Sequence, residues 1–334
     1  MHRYPWSKVM ESLLKRLINK KEHLNEVYIE VLKKDFKDAC MYQYQNGESL
    51  LRTMFASDER EIDGTFKIYS VFSVPGKDEF IIIYTSVSGD NLSFPSITTN
   101  IPAAHWYERE IRDMFGLIPE GHPDPRRLVL HDSFPIGSHP LRRDWSAKES
   151  DLREWGEGII VKHPYNFMEV EGEGITEIPV GPVHAGIIEP GHFRFSAIGE
   201  TVIFLEPRLF YTHKGTEKHF ERLGFFEGVK LAERVSGTSS FSHSAAYCMA
   251  VERMASIVLT EKAEAVRTLF LELERLYNHI GDIGNMCAGS GLAVGYAKGA
   301  VIKERLMQLN EMLTGNRYLR GINTIVGVNR DAFL

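Results

Sequence analysis

Glu108-Arg109-Glu110-Ile111-Arg112-Asp113-Met114-Phe115-Gly116, followed shortly by Gly121-His122-Pro123-Asp124-Pro125-Arg126-Arg127-Leu128, is the stretch on which the reading of this chain turns. Residues 102–115 have helical spacing. On such a helix Glu108 meets Arg112 and Arg109 meets Asp113 at four residues' distance, which orients two ion pairs. If exposed, pairs of this kind contribute only about 0.3–0.5 kcal/mol each. From charge pairing alone the helix therefore has a solvated face.

Strands lie on the N-terminal side of that helix. Segments 66–74 and 80–85 are dense in β-branched and aromatic residues, and Pro75-Gly76-Lys77-Asp78 between them predicts a hairpin. Segments 27–32 and 49–55 are weaker strands. Residues 7–19 place Val9, Met10, Leu13, Leu14 and Leu17 at helical spacing opposite Lys8, Lys15 and Arg16. One helix, several antiparallel strands and a closing helix predict a small α+β domain over residues 1–120.

On the C-terminal side, residues 121–174 turn to Pro, His, Arg, Trp and Gly with little periodicity, and read as an extended connector lying along a neighbouring surface. A second domain, 175–334, opens with a strand over 178–183 and a hairpin of 193–197 with 201–205. Helices are expected over 217–235, 243–258, 261–286 and 296–314, with a Gly-rich break at 288–295. The expected class is α+β: a small α+β domain, the connector, then a small antiparallel sheet leading into an α-helical bundle.

The chain has 334 residues, a formal net charge of -6 and a sequence pI near 6.1. No concentrated basic face points to nucleic acid, and no apolar run reaches the length of a membrane span. The start, Met1-His2-Arg3-Tyr4-Pro5-Trp6, has no apolar signal core, so the expected place is the cytoplasmic side. The three cysteines, Cys40, Cys248 and Cys287, form no CxxC pair and are expected to be buried thiols.

The string from Glu108, with His122 and Arg126-Arg127-Leu128-Val129 at their spacing, resembles the signature of the 30 kDa-type subunit of NADH-quinone oxidoreductase, respiratory complex I. Gly137-Ser138-His139-Pro140-Leu141-Arg142-Arg143-Asp144 is similar to that family's G-H-P-L-R-K-D with Ser138 inserted. The resemblance implies an α+β module without a cofactor of its own, docked on a large subunit and an Fe–S subunit.

Gly181-Pro182-Val183-His184-Ala185-Gly186, Glu189-Pro190-Gly191-His192-Phe193-Arg194-Phe195, Gly199-Glu200 and His213-Lys214-Gly215-Thr216-Glu217-Lys218 resemble the opening of a second family pair. These are the 49 kDa-type complex I subunit and the large subunit of membrane-bound group 4 NiFe hydrogenases, formate hydrogenlyase among them. The E-P-G-H-F-R wording lies closer to the hydrogenase branch than to the H-P-S-T-H-G of complex I. The resemblance makes Glu189, with His192 beside it, a proton relay. A carboxylate and an imidazole suit that task because burial can bring both pKa values towards neutrality.

Glu233-Arg234-Val235-Ser236-Gly237-Thr238-Ser239-Ser240-Phe241-Ser242-His243-Ser244 resembles the hydrogenase motif E-R-x-C-G-x-C-x-F-x-H-S, with Ser236 and Ser239 where that motif has cysteines. Serine hydroxyls replace soft thiolates poorly. The family's second cysteine pair lies beyond the residues present, and the second domain reads as incomplete at its C-terminal end. No metal and no NiFe centre is therefore expected. Complex I carries D-Y-x-H at this loop; its tyrosine falls on Gly237 and its histidine on Ser239, so the quinone head-group partners are absent too. Residues 267–279, with Glu272, Glu274, Arg275, Asn278 and His279, resemble an E-x-x-R-x-x-N-H helix that lines a proton path in relatives, and read equally as a helix with one wet face.

Taken together, the resemblance is to a fused 30 kDa-type/49 kDa-type (C/D) subunit, most like the energy-converting-hydrogenase-related complexes that keep the scaffold and lose the metal ligands. It implies a hydrophilic subunit of a membrane-associated oxidoreductase complex on the cytoplasmic side of the inner membrane, within electron transport and its NAD-binding and quinone-binding setting. Expected partners are an Fe–S small subunit, a ferredoxin-like Fe–S subunit and membrane-arm subunits. Their Fe–S clusters, and a quinone near the loops at 189–192 and 236–243 (Ser236, Gly237, Ser239, His243), are the cofactors implied; none is expected to be bound by this chain. A non-catalytic scaffold and a working NiFe hydrogenase are the alternatives, and the missing thiolates argue against the second.

Overall fold

The computed structural model describes residues 18–46, 49–132, 134–146, 165–184 and 189–330. The helix expected over 7–19 falls outside them up to residue 17, as do 147–164 of the connector and Ala185-Gly186 of the second motif. The chain divides into two compact units, Met1–Lys214 and Gly215–Leu334, and each is described by itself.

The first unit begins with β1 (Asn19–His23) and β2 (Glu26–Glu30), then α1 (Phe36–Asn46), β3 (Leu50–Glu59), the single turn α2 (Arg60–Asp63), β4 (Thr65–Ser73) and β5 (Phe80–Val87). These strands form a five-stranded sheet in the order β1-β2-β5-β4-β3. The predicted hairpin is present as β4 and β5, paired antiparallel from Phe66↔Val87 to Ser73↔Phe80. The expectation of antiparallel strands throughout is corrected at one place: β2 pairs with β5 in parallel. A parallel neighbour needs a crossover, and here α1, β3 and β4 supply it.

Along β4 every second residue is buried, through Phe66, Ile68, Ser70 and Phe72. That face packs on α1 through Phe36 and Cys40, and on α3 (His105–Phe115) through Ile111 and Met114. The sequence reading did not identify α1. Its buried positions Phe36, Ala39 and Cys40 are mostly small residues, and Tyr44 completes the stripe only in part. On the sheet's other face Phe55, Tyr69 and Tyr84 stack in a row at 5.1 and 5.3 Å between centroids.

Strands β6 (Ser93–Pro95) and β7 (Ile118–Glu120) flank α3 and pair in parallel. A three-stranded antiparallel sheet follows, β8 (Thr176–Val180), β9 (His192–Ile198) and β10 (Thr201–Arg208), in the order β10-β9-β8. The expected connector is irregular over 121–132 and 134–146, yet it is fastened to its own unit. Arg143 donates from its backbone N–H to Asp58 at 2.9 Å, and Arg60 pairs with Asp144 at 2.8 Å. The sheet of β8–β10 is likewise held to residues 124–132: Arg208 pairs with Asp132 at 2.8 Å, and Arg126 donates to the buried carboxylate of Glu206. These ties explain why the division between compact units comes after Lys214.

The second unit is helical: α4 (Thr216–Phe220), α5 (Phe225–Ala232), α6 (Ser240–Met254), α7 (Glu261–Gly289) and α8 (Ala293–Thr314), closed by β11 (Asn323–Thr324) and β12 (Gly327–Val328). The single helix expected over 217–235 is broken at Gly224. Its extended backbone starts α5, and the Glu227 carboxylate accepts its N–H at 2.8 Å. The core lies where α6 meets α7, through Phe241, Ala245, Val266 and Phe270. Among the described residues no helix is long and apolar enough to cross a membrane.

Candidate functional site

The loop 236–239 leads into α6 and is held from α7. The Glu274 carboxylate accepts the backbone N–H of Phe241 at 2.7 Å and of Ser242 at 2.9 Å, which satisfies two of the donors that a helix N-terminus leaves open. One turn further, the Tyr277 hydroxyl donates to the Thr238 carbonyl at 2.6 Å, and Asn278 Nδ2 donates to the same oxygen at 2.9 Å. Burial and the neighbouring Glu274 carboxylate push the Tyr277 phenol well above its ordinary pKa, so it stays protonated and serves as a donor. Glu233, also buried, accepts the Gly321 N–H at 2.6 Å and ties the base of the loop to the end of the unit.

Beside this loop lies a groove of about 440 Å³ lined by Thr238, Ser239, Ser242, Glu274, Asn278 and His279, with Leu271, Arg275 and Asp282. Of the loop residues singled out in the sequence, Ser239 lines it, whereas Ser236, Gly237 and His243 do not. The Ser236 carbonyl accepts the Ser239 N–H at 3.4 Å, which closes the turn. The α7 residues Glu274, Arg275, Asn278 and His279 come together there as their helical spacing requires. Tyr277, which does the clamping with them, was not singled out. Its three-residue offset from Glu274 was the available signal.

In the first unit, Glu189 and His192 are not brought into contact. Glu189 is exposed and pairs with Lys214 at 2.9 Å. His192 is buried against Phe167, with ring centroids 5.0 Å apart. Its Nδ1 lies 3.2 Å from the Gly181 carbonyl and carries the proton, because a carbonyl only accepts; its Nε2 is buried without a partner. Gly181 has φ +82, and a Cβ there would collide with the Gly191 carbonyl and the His184 ring, so only glycine fits.

The charged residues of α3 correct the ion-pair reading. Glu108, Arg109 and Asp113 are buried, and neither pair at four residues' distance forms. The Glu108 carboxylate accepts from the Ile97 N–H at 2.7 Å and from the hydroxyls of Ser96 and Thr98 at 2.6 and 2.7 Å. Asp113 Oδ2 accepts the backbone N–H groups of Leu128, Val129 and Leu130 at 2.8, 2.9 and 3.3 Å. Arg109 donates to the carbonyls of Arg126 and Arg127 at 3.0 and 2.9 Å and pairs with Asp124 at 3.3 Å. A buried charge survives only when it is fully hydrogen-bonded. Here the charges serve the backbone of the two loops that wrap the helix.

The end of α3 is organised in the same way. Gly116, with φ +73, ends it, and the carbonyls of Asp113 and Phe115 accept from His139 Nδ1 at 2.9 Å and Arg142 Nε at 2.7 Å. The inserted Ser138 accepts the Trp145 indole N–H at 2.7 Å. Residues 29–151 match the family model described as respiratory-chain NADH dehydrogenase, 30 Kd subunit. Residues 29–151 are a domain of that family.

This 30 kDa-subunit domain sits in longer relatives whose similarity runs through both units. The chain is 40% identical over 296 residues to hydrogenase-4 component G of Escherichia coli, covering 88% of this chain and 53% of that protein. It is 39% identical over 294 residues to formate hydrogenlyase subunit 5 of Escherichia coli, covering 87% and 51%. It is 27% identical over 292 residues to the C/D subunit of NADH-quinone oxidoreductase of Phocaeicola vulgatus, covering 84% and 56%. The chain thus spans about half the length of the curated relatives it matches.

The donor set at 236–239 does not fit a NiFe centre. Ser236 and Ser239 offer neutral hydroxyls where such a centre takes soft thiolates. Cys40 and Cys248 are buried, Cys248 with its thiol pushed up to about 11 by that burial, and Cys287 is half-buried on α7. Among the described residues no group of three or more His, Cys, Asp or Glu side chains could hold a metal ion.

Proposed function

We propose that the chain is part of the large hydrophilic subunit of a membrane-associated oxidoreductase complex of the hydrogenase-4, formate hydrogenlyase and NADH-quinone oxidoreductase kind. In it the chain serves electron transfer and coupling without building a metal centre at its own loop. Its partners are an Fe–S small subunit, a ferredoxin-like Fe–S subunit and membrane-arm subunits. It lies against the cytoplasmic face of the inner membrane, and the electrons pass through the partners' Fe–S clusters.

The observation that carries this reading is the loop 236–239. Glu274, Tyr277 and Asn278 hold its frame at the edge of a groove, while hydroxyls occupy the places of the thiolates. Hydroxyl, imidazole and carboxylate side chains around that groove suit a hydrated cavity through which protons exchange. In the first unit, Glu189 and His192 are the candidate proton-exchanging groups, each acting from its own place because the two are not in contact, and a quinone is the candidate acceptor.

The test is purification of the complex from membranes by a tag on this chain. Fe–S subunits in fixed ratio, iron and sulfide without nickel, and saturable binding of a quinone analogue that slows electron flow are the expected results. Nickel in equal amount to the chain would overturn the reading in favour of a hydrogenase. Loss of both ligand sets at the loop favours a second reading, a scaffold that positions Fe–S partners. Co-purifying Fe–S subunits with no analogue binding and no effect on electron flow would select it.

A further inference from the structure

A pocket of about 680 Å³ opens at the start of α3, within the first unit, and none of its lining residues belongs to the loops at 189–192 or 236–243. Its walls are aromatic. Trp106, 41% exposed, and Phe210 stand at 75° to each other with ring centroids 6.4 Å apart, which makes a two-sided corner. Tyr107 is a third ring of the wall, fixed by its hydroxyl, which donates to the Arg52 carbonyl at 3.2 Å. Phe210 holds its place at φ +64, a left-handed conformation that is costly for a bulky residue, and strain of this kind gathers at ligand clamps.

Among the residues that line the pocket, Glu110 alone carries a formal charge. The His105 imidazole on the same wall is held neutral: burial, and after it the Arg109 guanidinium, push its pKa below the ordinary value. Its Nε2, 3.3 Å from Arg109 Nη1, accepts in that contact, because a guanidinium only donates. Arg109 is itself matched by Asp124 at 3.3 Å. The start of the helix offers little to an anion. Pro102 has no N–H, and the N–H groups of Ala104 and His105 are taken by the carbonyls of Ile101 and Pro102. Glu110 has a partner within the chain, and the two oxygens of a carboxylate leave further acceptor positions beside it.

We propose that the corner of Trp106 and Phe210, with Tyr107 and Glu110 on the same wall, binds a small organic ammonium ion. The face of each ring attracts a cation, tryptophan most strongly, and the carboxylate supplies the opposite charge. Alkyl groups on the nitrogen suit the site. They spread the charge, lower the cost of leaving water and cover the apolar part of the wall at Pro102, Pro123 and Leu128. The volume is that of a pocket for a whole small molecule. The inference is independent of the chemistry assigned to the loop at 236–239.

The test is calorimetric titration of the full chain, purified as the cells make it, with choline chloride and with 3,3-dimethylbutan-1-ol. The alcohol has the shape of choline with a carbon in place of the charged nitrogen. Saturable choline binding is expected, with the alcohol at least about tenfold weaker. This comparison needs no variant. Absence of saturable choline binding, or equal affinity for the two compounds, would overturn the proposal. Glu110→Gln removes the charge and keeps the shape, and Trp106→Leu removes the ring face and keeps an apolar side chain. Each is expected to weaken choline at least about fivefold, with a thermal transition that matches the parent's. Undiminished choline binding in either folded variant would place the ion elsewhere and also overturn the proposal.

Discussion

Glu252 on α6 and Arg267 on α7 form a two-pronged ion pair, with Nη1 to Oε2 at 2.8 Å and Nη2 to Oε1 at 2.7 Å, and both side chains are buried. The pair also fastens the end of the unit. Arg267 donates to the carbonyls of Thr324 and Gly327 at 2.8 and 2.9 Å, and Glu252 accepts the Val326 N–H at 2.8 Å. Val326 adopts φ +80, a strained choice for a β-branched residue, and the pair holds it there.

Removal of one partner strands the other charge in the core. Arg267→Ala is expected to cost about 3–5 kcal/mol in chemical denaturation, as breaking a buried pair does. Glu252→Gln with Arg267→Met should cost clearly less than the sum of the single changes, because no lone charge remains. Additive losses in the double-mutant cycle would show that the two side chains act separately.

Glu274 tests the clamp on the loop. Glu274→Ala leaves the N–H groups of Phe241 and Ser242 without their acceptor, and each hydrogen bond to a charged group contributes about 1.5–3 kcal/mol. Hydrogen exchange at those two amides should accelerate, with the amides in the middle of α7 little changed. Glu272→Ala is the control, since its ion pair with Arg275 is exposed and of little consequence. Equal protection of the two amides in Glu274→Ala and in the parent would rule out the clamp.

What the sequence made legible follows the range of each physical rule. The β4–β5 hairpin and α3 were readable because alternation, turn residues and helical spacing are local. Glu108 and Asp113 were misread for the same reason. Spacing on one helix offers them Arg112 and Arg109, and only the wrapping of loops 96–98 and 128–130 supplies the backbone N–H and hydroxyl donors that they bind. The tie between Arg126 and Glu206 joins residues 80 apart, beyond any local pattern. At the candidate site, Ser239 and the α7 face came from motif wording and helical spacing. The role of Tyr277, and the separation of Glu189 from His192, depend on tertiary packing that neither of those signals encodes.

Gly116 is a conformational requirement. Its φ is +73, and a Cβ would meet His139 Nε2 at 2.5 Å and Arg142 Nη2 at 2.6 Å. Gly116→Ala should cost at least about 1–2 kcal/mol from the left-handed backbone alone, with a further loss as His139 and Arg142 are displaced from the end of α3. Gly121→Ala shares the positive φ with open space around it and should lose only the backbone part. Equal melting temperatures for the two variants would refute the packing argument.

Acid should reach the first unit through Asp58 and Asp124. Burial works against ionisation of Asp58, and hydrogen bonds from the Arg60 side chain and the backbone N–H groups of Arg143 and Arg60 outweigh it, holding the pKa at about 2. Asp124 is half-buried, which works against its ionisation, and the Arg126 side chain and backbone, with Arg109 beside it, again outweigh that and hold it at about 2. In the unfolded chain both titrate at about 3.9. The folded values are the lower ones, so between about pH 4 and pH 2 the unfolded state binds more protons and stability falls as acid is added. The stabilisation is complete above about pH 5 and gone below about pH 2. Asp58→Asn and Asp124→Asn should each lower stability at neutral pH and flatten the acid limb, read as urea midpoints from about pH 6 down to about pH 2.5. A variant that keeps the parent's slope over that range would show that its carboxylate does not govern the acid response.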